Sequence, residues 1–149
     1  MRKTILLSRQ DPHTEKCTEA EPFFTKKGII LVVDDDPDIT KSFGLVLEDS
    51  GLFEKIELCN DPTLALSNLR PDMYDIALLD VKMPGLGGFE LYNEIKKIDK
   101  KVRVCFVDGQ PLDYGALKEE FPLLEIERLI PKPVAVSDLI KRLETELLR

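Results

Sequence analysis

Tyr74-Asp75-Ile76-Ala77-Leu78-Leu79-Asp80-Val81-Lys82-Met83-Pro84-Gly85 is the stretch on which the reading of this chain turns. The apolar run from Ile76 to Leu79 is too short for a membrane span or a long helix. Asp75 precedes it, and Pro84 and Gly85 follow soon after. Such a run between such punctuation has the pattern of a strand buried on both faces, as in a parallel sheet. Asp80 falls where the run ends. In open α/β sheets the carboxyl ends of the strands form the edge where the ligand crevice lies. An isolated Asp there can simply start a turn. Its meaning depends on whether other strands end the same way.

They do. Gly28-Ile29-Ile30-Leu31-Val32-Val33 is a second apolar run, rich in β-branched residues, and it ends in Asp34-Asp35-Asp36-Pro37. Consecutive acids repel one another unless a cation or a helix N-terminus compensates them. Ile39, Phe43, Val46 and Leu47 then recur at helical spacing. Pro37 suits a first helical turn, so Asp36 is predicted as the N-cap and Gly51 as the stop. That leaves Asp34 and Asp35 at the end of the first strand.

The remaining chain alternates in the same way. Strands are predicted over residues 54–59, 76–79, 102–107 and 126–130. Helices are predicted over 39–50, from Asp61-Pro62 through Leu69, over 89–98, over 112–121 and over 136–148. Leu139, Ile140, Leu143 and Leu147 share one face of the last helix. Phe43, Phe89 and Phe106 read as core residues by periodicity. Strict strand–helix alternation with short connections implies a parallel sheet covered by helices on both faces. Strand one is among the most apolar and should be central, which the flavodoxin-like order 2-1-3-4-5 satisfies.

Composition bounds the rest. The 149 residues carry a net charge of −7, which argues against nucleic acid as the main ligand. The charge is uneven: residues 1–27 hold 6 basic and 4 acidic side chains, and residues 28–149 hold 15 and 24. Residues 1–27, with Pro12 and Pro22, read as a loosely ordered extension. Phe23 and Phe24 offer rings that could dock on the domain, and a start codon assigned too early accounts for the segment equally well. The only histidine, His13, lies there and is given no role. Cys17, Cys59 and Cys105 have no metal-like spacing, and the latter two read as small buried hydrophobes. A reduced cytoplasm is the natural compartment, and no stretch has the length of a spanning helix or a signal peptide.

Asp34, Asp35, Asp80, Asp108 and Lys132 all directly follow predicted strands. A parallel sheet brings those positions to one edge. Crowded carboxylates need a compensating charge. An oxygen-rich site with a few acids suits Mg²⁺, which keeps several waters and binds through one or two carboxylates plus a substrate phosphate. Lys132 adds a positive point charge. A divalent metal, a lysine and a carboxylate nucleophile are the equipment of phosphoryl transfer onto Asp.

The chain resembles the receiver domain of two-component response regulators over roughly residues 28–149. The matching pieces are Ile-Leu-Val-Val-Asp34-Asp35-Asp36-Pro37, Leu-Leu-Asp80-Val-Lys82-Met-Pro-Gly and Ile-Pro-Lys132-Pro133. The resemblance implies that Asp80 is the phosphoacceptor, attacking a phosphohistidine on a kinase or phosphotransfer protein. It implies that Asp34 and Asp35 hold Mg²⁺, Asp35 directly and Asp34 through water, with the backbone carbonyl of Lys82 as a further ligand. Lys132 matches the lysine that pairs with the acceptor and then with the phosphoryl group. Two positions depart from the pattern. Asp108 stands where the family usually has Thr or Ser, and Leu129 stands where it usually has an aromatic switch residue.

The leading expectation is therefore a stand-alone, non-enzymatic receiver, ending at Arg149, that signals through a downstream protein. It neither inserts into membranes nor contacts nucleic acid directly. Many receivers pair through the face of helix four, strand five and helix five, so a homodimer is open to it; Leu117, Leu124 and Leu129 are assigned to that face. Asp108 and Leu129 keep a second reading open, a degenerate receiver acting as a phosphorylation-independent interaction module. A third, an Mg²⁺-dependent hydrolase turning over at Asp80, lacks a separate general acid and a substrate lid.

Overall fold

The computed structural model describes residues 27–109, 113–122, 124, 129–131 and 134–148. Their five strands are β1 (Gly28–Val33), β2 (Phe53–Cys59), β3 (Ile76–Asp80), β4 (Arg103–Asp108) and β5 (Leu129–Pro131). Between and after them run α1 (Pro37–Ser50), α2 (Pro62–Ser67), α3 (Gly88–Ile98), α4 (Tyr114–Glu120) and α5 (Val136–Leu148). The sheet is parallel throughout, in the order β2-β1-β3-β4-β5. This is the flavodoxin-like arrangement expected from the alternation.

The period of two along each strand sorts the core into two layers. Leu31, Val33, Ala77, Leu79, Val104 and Phe106 face one side, against Phe89, Leu91 and Ile95 of α3 and Leu117 of α4. Ile30, Val32, Ile76, Leu78, Cys105 and Val107 face the other, against Leu47 of α1 and Leu139 and Leu143 of α5. Ile140 and Leu147 of α5 pack partly buried on that second layer, as their spacing implies. Each such side chain contributes roughly 1.5–3 kcal/mol when fully buried. β1 and β3 are covered on both sides, which is why their sequences are runs and not alternations.

The first layer is bound by aromatic contacts: the Phe89 ring lies 4.9 Å from Phe106 and 5.4 Å from Phe121. At the opposite edge from the acids, Asp75 fastens β1 to β3. Its N–H donates to the Ile29 carbonyl at 2.8 Å, and its Oδ2 accepts the Ile29 N–H at 2.8 Å.

Several boundaries differ from expectation. α2 stops at Ser67, because Asn68 caps it with N–H bonds back to Leu64 and Leu66; Leu69 is buried just beyond. α4 begins at Tyr114, where Asp113 accepts the Ala116 N–H as N-cap. Leu112 and residues 125–128 of the expected fifth strand lie outside the described residues, as do Cys17, Phe23, Phe24 and the rest of the expected extension up to residue 26. Cys105 is buried, but Cys59 is only half-buried, its thiol donating to the Asp61 carbonyl at 3.2 Å. Phe43 likewise is only partly buried.

Candidate functional site

β1 delivers the first acids. The Asp34 N–H donates to the Cys59 carbonyl at 3.2 Å, which continues the ladder one residue past the strand. Asp34 is 2% exposed, and its Oδ1 accepts the Asp36 N–H at 3.0 Å. The Asp34 carbonyl accepts the side-chain amide of Asn60 at 2.7 Å. Asp35 is exposed. The Asp36 carboxylate is taken up by the helix: as N-cap of α1 it accepts the Asp38 N–H at 2.9 Å. The triple acid thus divides as its sequence implies, one residue for the cap and two for the strand end.

β3 delivers Asp80, its last residue, 8% exposed. Oxygens of Asp34, Asp35 and Asp80 all lie within 4.8 Å of one another. At that separation and an effective dielectric near 20, each pair of ionised carboxylates repels by about 3–4 kcal/mol. Hard oxygen donors of like charge, two of them buried, fit a small divalent cation. Receiver domains generally bind Mg²⁺ in such an acidic pocket, and the donor set here matches.

The chain leaves Asp80 through a tight loop. The Val81 N–H donates to the Val107 carbonyl at 3.1 Å, and the Val81 carbonyl accepts the Gly88 N–H at 3.0 Å. Gly85 sits at φ +78, the left-handed region where glycine is favoured. Lys82 lies in this loop, exposed, two residues beyond Asp80. The first residue of α3, Gly88, is buried against the backbone of Asp80 and Val81.

Asp108 ends β4 beside Asp80, whose register partner is Val107. It is 6% exposed, and its Oδ2 is buried without a hydrogen-bond partner among the described residues. It does not belong to the group of three. Lys132 and Pro133 lie outside the described residues, so the expected ammonium at this edge stays an expectation. Leu129 opens β5 opposite Phe106 and is buried in the first layer. Leu117 and Leu124 are buried in the same layer. The three leucines assigned to a pairing face are therefore core residues of this layer.

Asn60 and Thr40 were not singled out from sequence. Asn60 and Thr40 lie 20 residues apart and meet only across the carboxyl edge. The Gly87-Gly88 pair at the start of α3 was a readable signal, since a glycine entering a buried helix implies close backbone approach.

The parallel sheet, the two helical layers and the acids at one edge define a flavodoxin-like α/β domain with a cation-compatible site. The response regulator receiver domain family matches residues 30–144, and the chain belongs to that family. It is 30% identical over 112 residues to a response regulator receiver protein of Anaeromyxobacter, covering 74% of this chain and 44% of that protein. It is 33% identical over 121 residues to the transcriptional regulatory protein CpxR homolog of Haemophilus influenzae, covering 80% and 50%. The chain thus spans about half the length of these curated relatives. Among solved structures, a receiver domain protein of Clostridium thermocellum matches with TM-score 0.66 at 27% identity, covering 81% of this chain and 94% of that one. The non-phosphorylated HemR receiver domain of Leptospira biflexa matches with TM-score 0.68 at 28% identity, with the same coverage. Receiver domains are signalling domains that interact with histidine kinases or phosphotransfer proteins. Among the described residues no helix is long and apolar enough to cross a membrane.

Proposed function

We propose that residues 28–149 form a receiver that accepts a phosphoryl group on Asp80, with Mg²⁺ as cofactor, and passes the signal to a protein partner in the cytoplasm. Residues 1–27 are then an extension to it. The observation that carries this reading is the meeting of the Asp34, Asp35 and Asp80 oxygens within 4.8 Å on a receiver fold.

The family resemblance assigns the roles. Asp35 would hold the cation directly and Asp34 through water, with Asp80 and the Lys82 carbonyl completing the protein's ligands. Mg²⁺ held there would supply positive charge to offset that of the phosphoryl oxygens. An Asp80 carboxylate oxygen attacks the phosphorus of a phosphohistidine; the P–O bond forms as the P–N bond breaks. The imidazole leaves with the electron pair and takes up a proton. Lys132 is proposed to pair with Asp80 before transfer and with the phosphoryl group after it.

Asp108 sets this receiver apart. An ionised carboxylate accepts hydrogen bonds and donates none. Where ionised, Asp108 would repel the phosphorylated acceptor instead of closing on it, and Leu129 supplies no aromatic ring to turn. Both residues favour, as a second reading, an interaction module whose partner binding ignores phosphorylation.

Incubation with Mg²⁺ and acetyl phosphate, followed by intact mass measurement, tests the proposal. A phosphate adduct on the wild type and none on Asp80→Asn is expected. No adduct, under conditions that label an ordinary receiver, rejects it. Partner binding left unchanged by Asp80→Asn selects the second reading.

A further inference from the structure

We infer that Asn60 is a positioning residue for the cation site, acting through the backbone of Asp34 together with Thr40. The inference rests on reading the three carboxylates as that site.

Asn60 follows β2 directly, at the same edge as the acids. Its Nδ2 donates to two oxygens: the Asp34 carbonyl at 2.7 Å and the Thr40 hydroxyl at 3.0 Å. The orientation of the amide is set by chemistry, since a backbone carbonyl only accepts. Thr40 is 3% exposed, and its hydroxyl donates onward to the Pro37 carbonyl at 3.1 Å. A chain of bonds therefore runs from Pro37 in the first turn of α1, through Thr40 and Asn60, to the Asp34–Asp35 peptide.

That peptide joins two of the three carboxylates. The Asp34 N–H is held by Cys59 and its Oδ1 by the Asp36 N–H. Its carbonyl is a further handle, and rotation of the Asp34–Asp35 peptide plane swings the Asp35 side chain relative to Asp80. Asn60 fixes that plane. Mg²⁺ demands near-ideal octahedral geometry at 2.0–2.1 Å, so a small swing of a carboxylate weakens it disproportionately. Residues that orient metal ligands typically cost 10–100-fold in affinity when lost. Asn60 itself is exposed, so its loss leaves the core filled and separates an effect on affinity from one on folding.

The test measures Mn²⁺ binding to the full chain from the electron paramagnetic resonance signal of the free ion. Apo unfolding in urea is measured in parallel. Wild type is expected to bind one ion and Asp35→Ala none. Asn60→Leu, close in size but without a donor, is expected to raise the Mn²⁺ Kd about tenfold while remaining folded. Thr40→Val is expected to weaken binding and Thr40→Ser to keep it. An Asn60→Leu affinity within twofold of wild type, with Asp35→Ala still inactive, overturns the inference and leaves the site standing. Equal weakening in Thr40→Ser and Thr40→Val assigns the effect to the lost methyl and also overturns it. No Mn²⁺ binding by wild type removes the site and the inference together.

Discussion

Gly88 and Asp80 touch through their backbones: a Cβ placed on Gly88 would lie 2.3 Å from the Asp80 carbonyl oxygen. That atom belongs to a strand buried on both faces and has nowhere to go. Alanine at the start of a helix gains at most ~1 kcal/mol in propensity, whereas forcing atoms into a packed backbone costs roughly 1–3 kcal/mol. Gly88→Ala is therefore expected to lower stability by about 1–2 kcal/mol in urea unfolding. Because the displaced atom belongs to the acceptor residue, labelling by acetyl phosphate should fall further than the folded fraction does. Wild-type labelling in a destabilised Gly88→Ala would uncouple helix seating from the acceptor.

Removing or adding the cation should register as stability. Three mutually repelling carboxylates weaken the native state, and an ion that binds only that state stabilises it by mass action. At ten times its Kd, Mg²⁺ is expected to add about 1.4 kcal/mol. The gain should vanish in Asp35→Ala and return to zero for the wild type in excess chelator. An equal gain in the variant would identify ordinary salt screening.

Asp108→Thr should raise both stability and phosphorylation. The substitution removes a buried carboxylate oxygen that lacks a partner among the described residues, and buried unpaired polar groups are costly. It also removes an acidic group from the strand paired with the acceptor's own. A higher urea midpoint together with several-fold more adduct, or a longer-lived one, is expected. If Asp108→Thr instead abolishes Mg²⁺ binding, Asp108 is a metal ligand.

Tyr74 makes stability fall in alkali. Its hydroxyl donates to Glu57 Oε2 at 2.9 Å. Burial first, then the bond to Glu57 and that residue's charge, raise the phenol's pKa well above its ordinary value of 10.0. The protonated phenol is the form the fold favours. Its contribution is complete below pH 10.0, where folded and unfolded chains are both protonated, and declines above it as the unfolded chain ionises first. Tyr74→Phe should cost about 1 kcal/mol at neutral pH, since the bond is only partly buried. The gap between wild type and variant should narrow above pH 10.0. A constant gap between pH 8 and pH 11 would show that the phenol does not titrate with folding.

Much of the fold was legible because burial on both faces leaves an unmistakable mark. Ile30–Val33 and Ile76–Leu79 can be runs only if both sides are covered, and that condition places β1 and β3 in the middle. The cap at Asp36 and the stop at Gly51 were legible because each is a local device with its own residue preference. Where α2 ends was not, since Leu69 keeps the helical period after the backbone has already turned at Asn68. The acids were legible through their positions after strands. The tie between Asn60 and Thr40 was not, because a polar residue after a strand looks the same whether its amide reaches solvent or a neighbouring loop. The burial of Leu117 was hard to read for a related reason: a short helix with few apolar residues does not announce which side of it is covered.

The carboxylates do not all belong to the same half of the protein. Asp34 and Asp35 lead into α1, whose Leu47 rests on one layer, while Asp80 is wedged against Gly88 at the head of α3, which rests on the other. Anything that draws these acids together pulls on helices that never meet through the sheet. An ion held between these acids would therefore tie together elements that pack on opposite faces of the sheet.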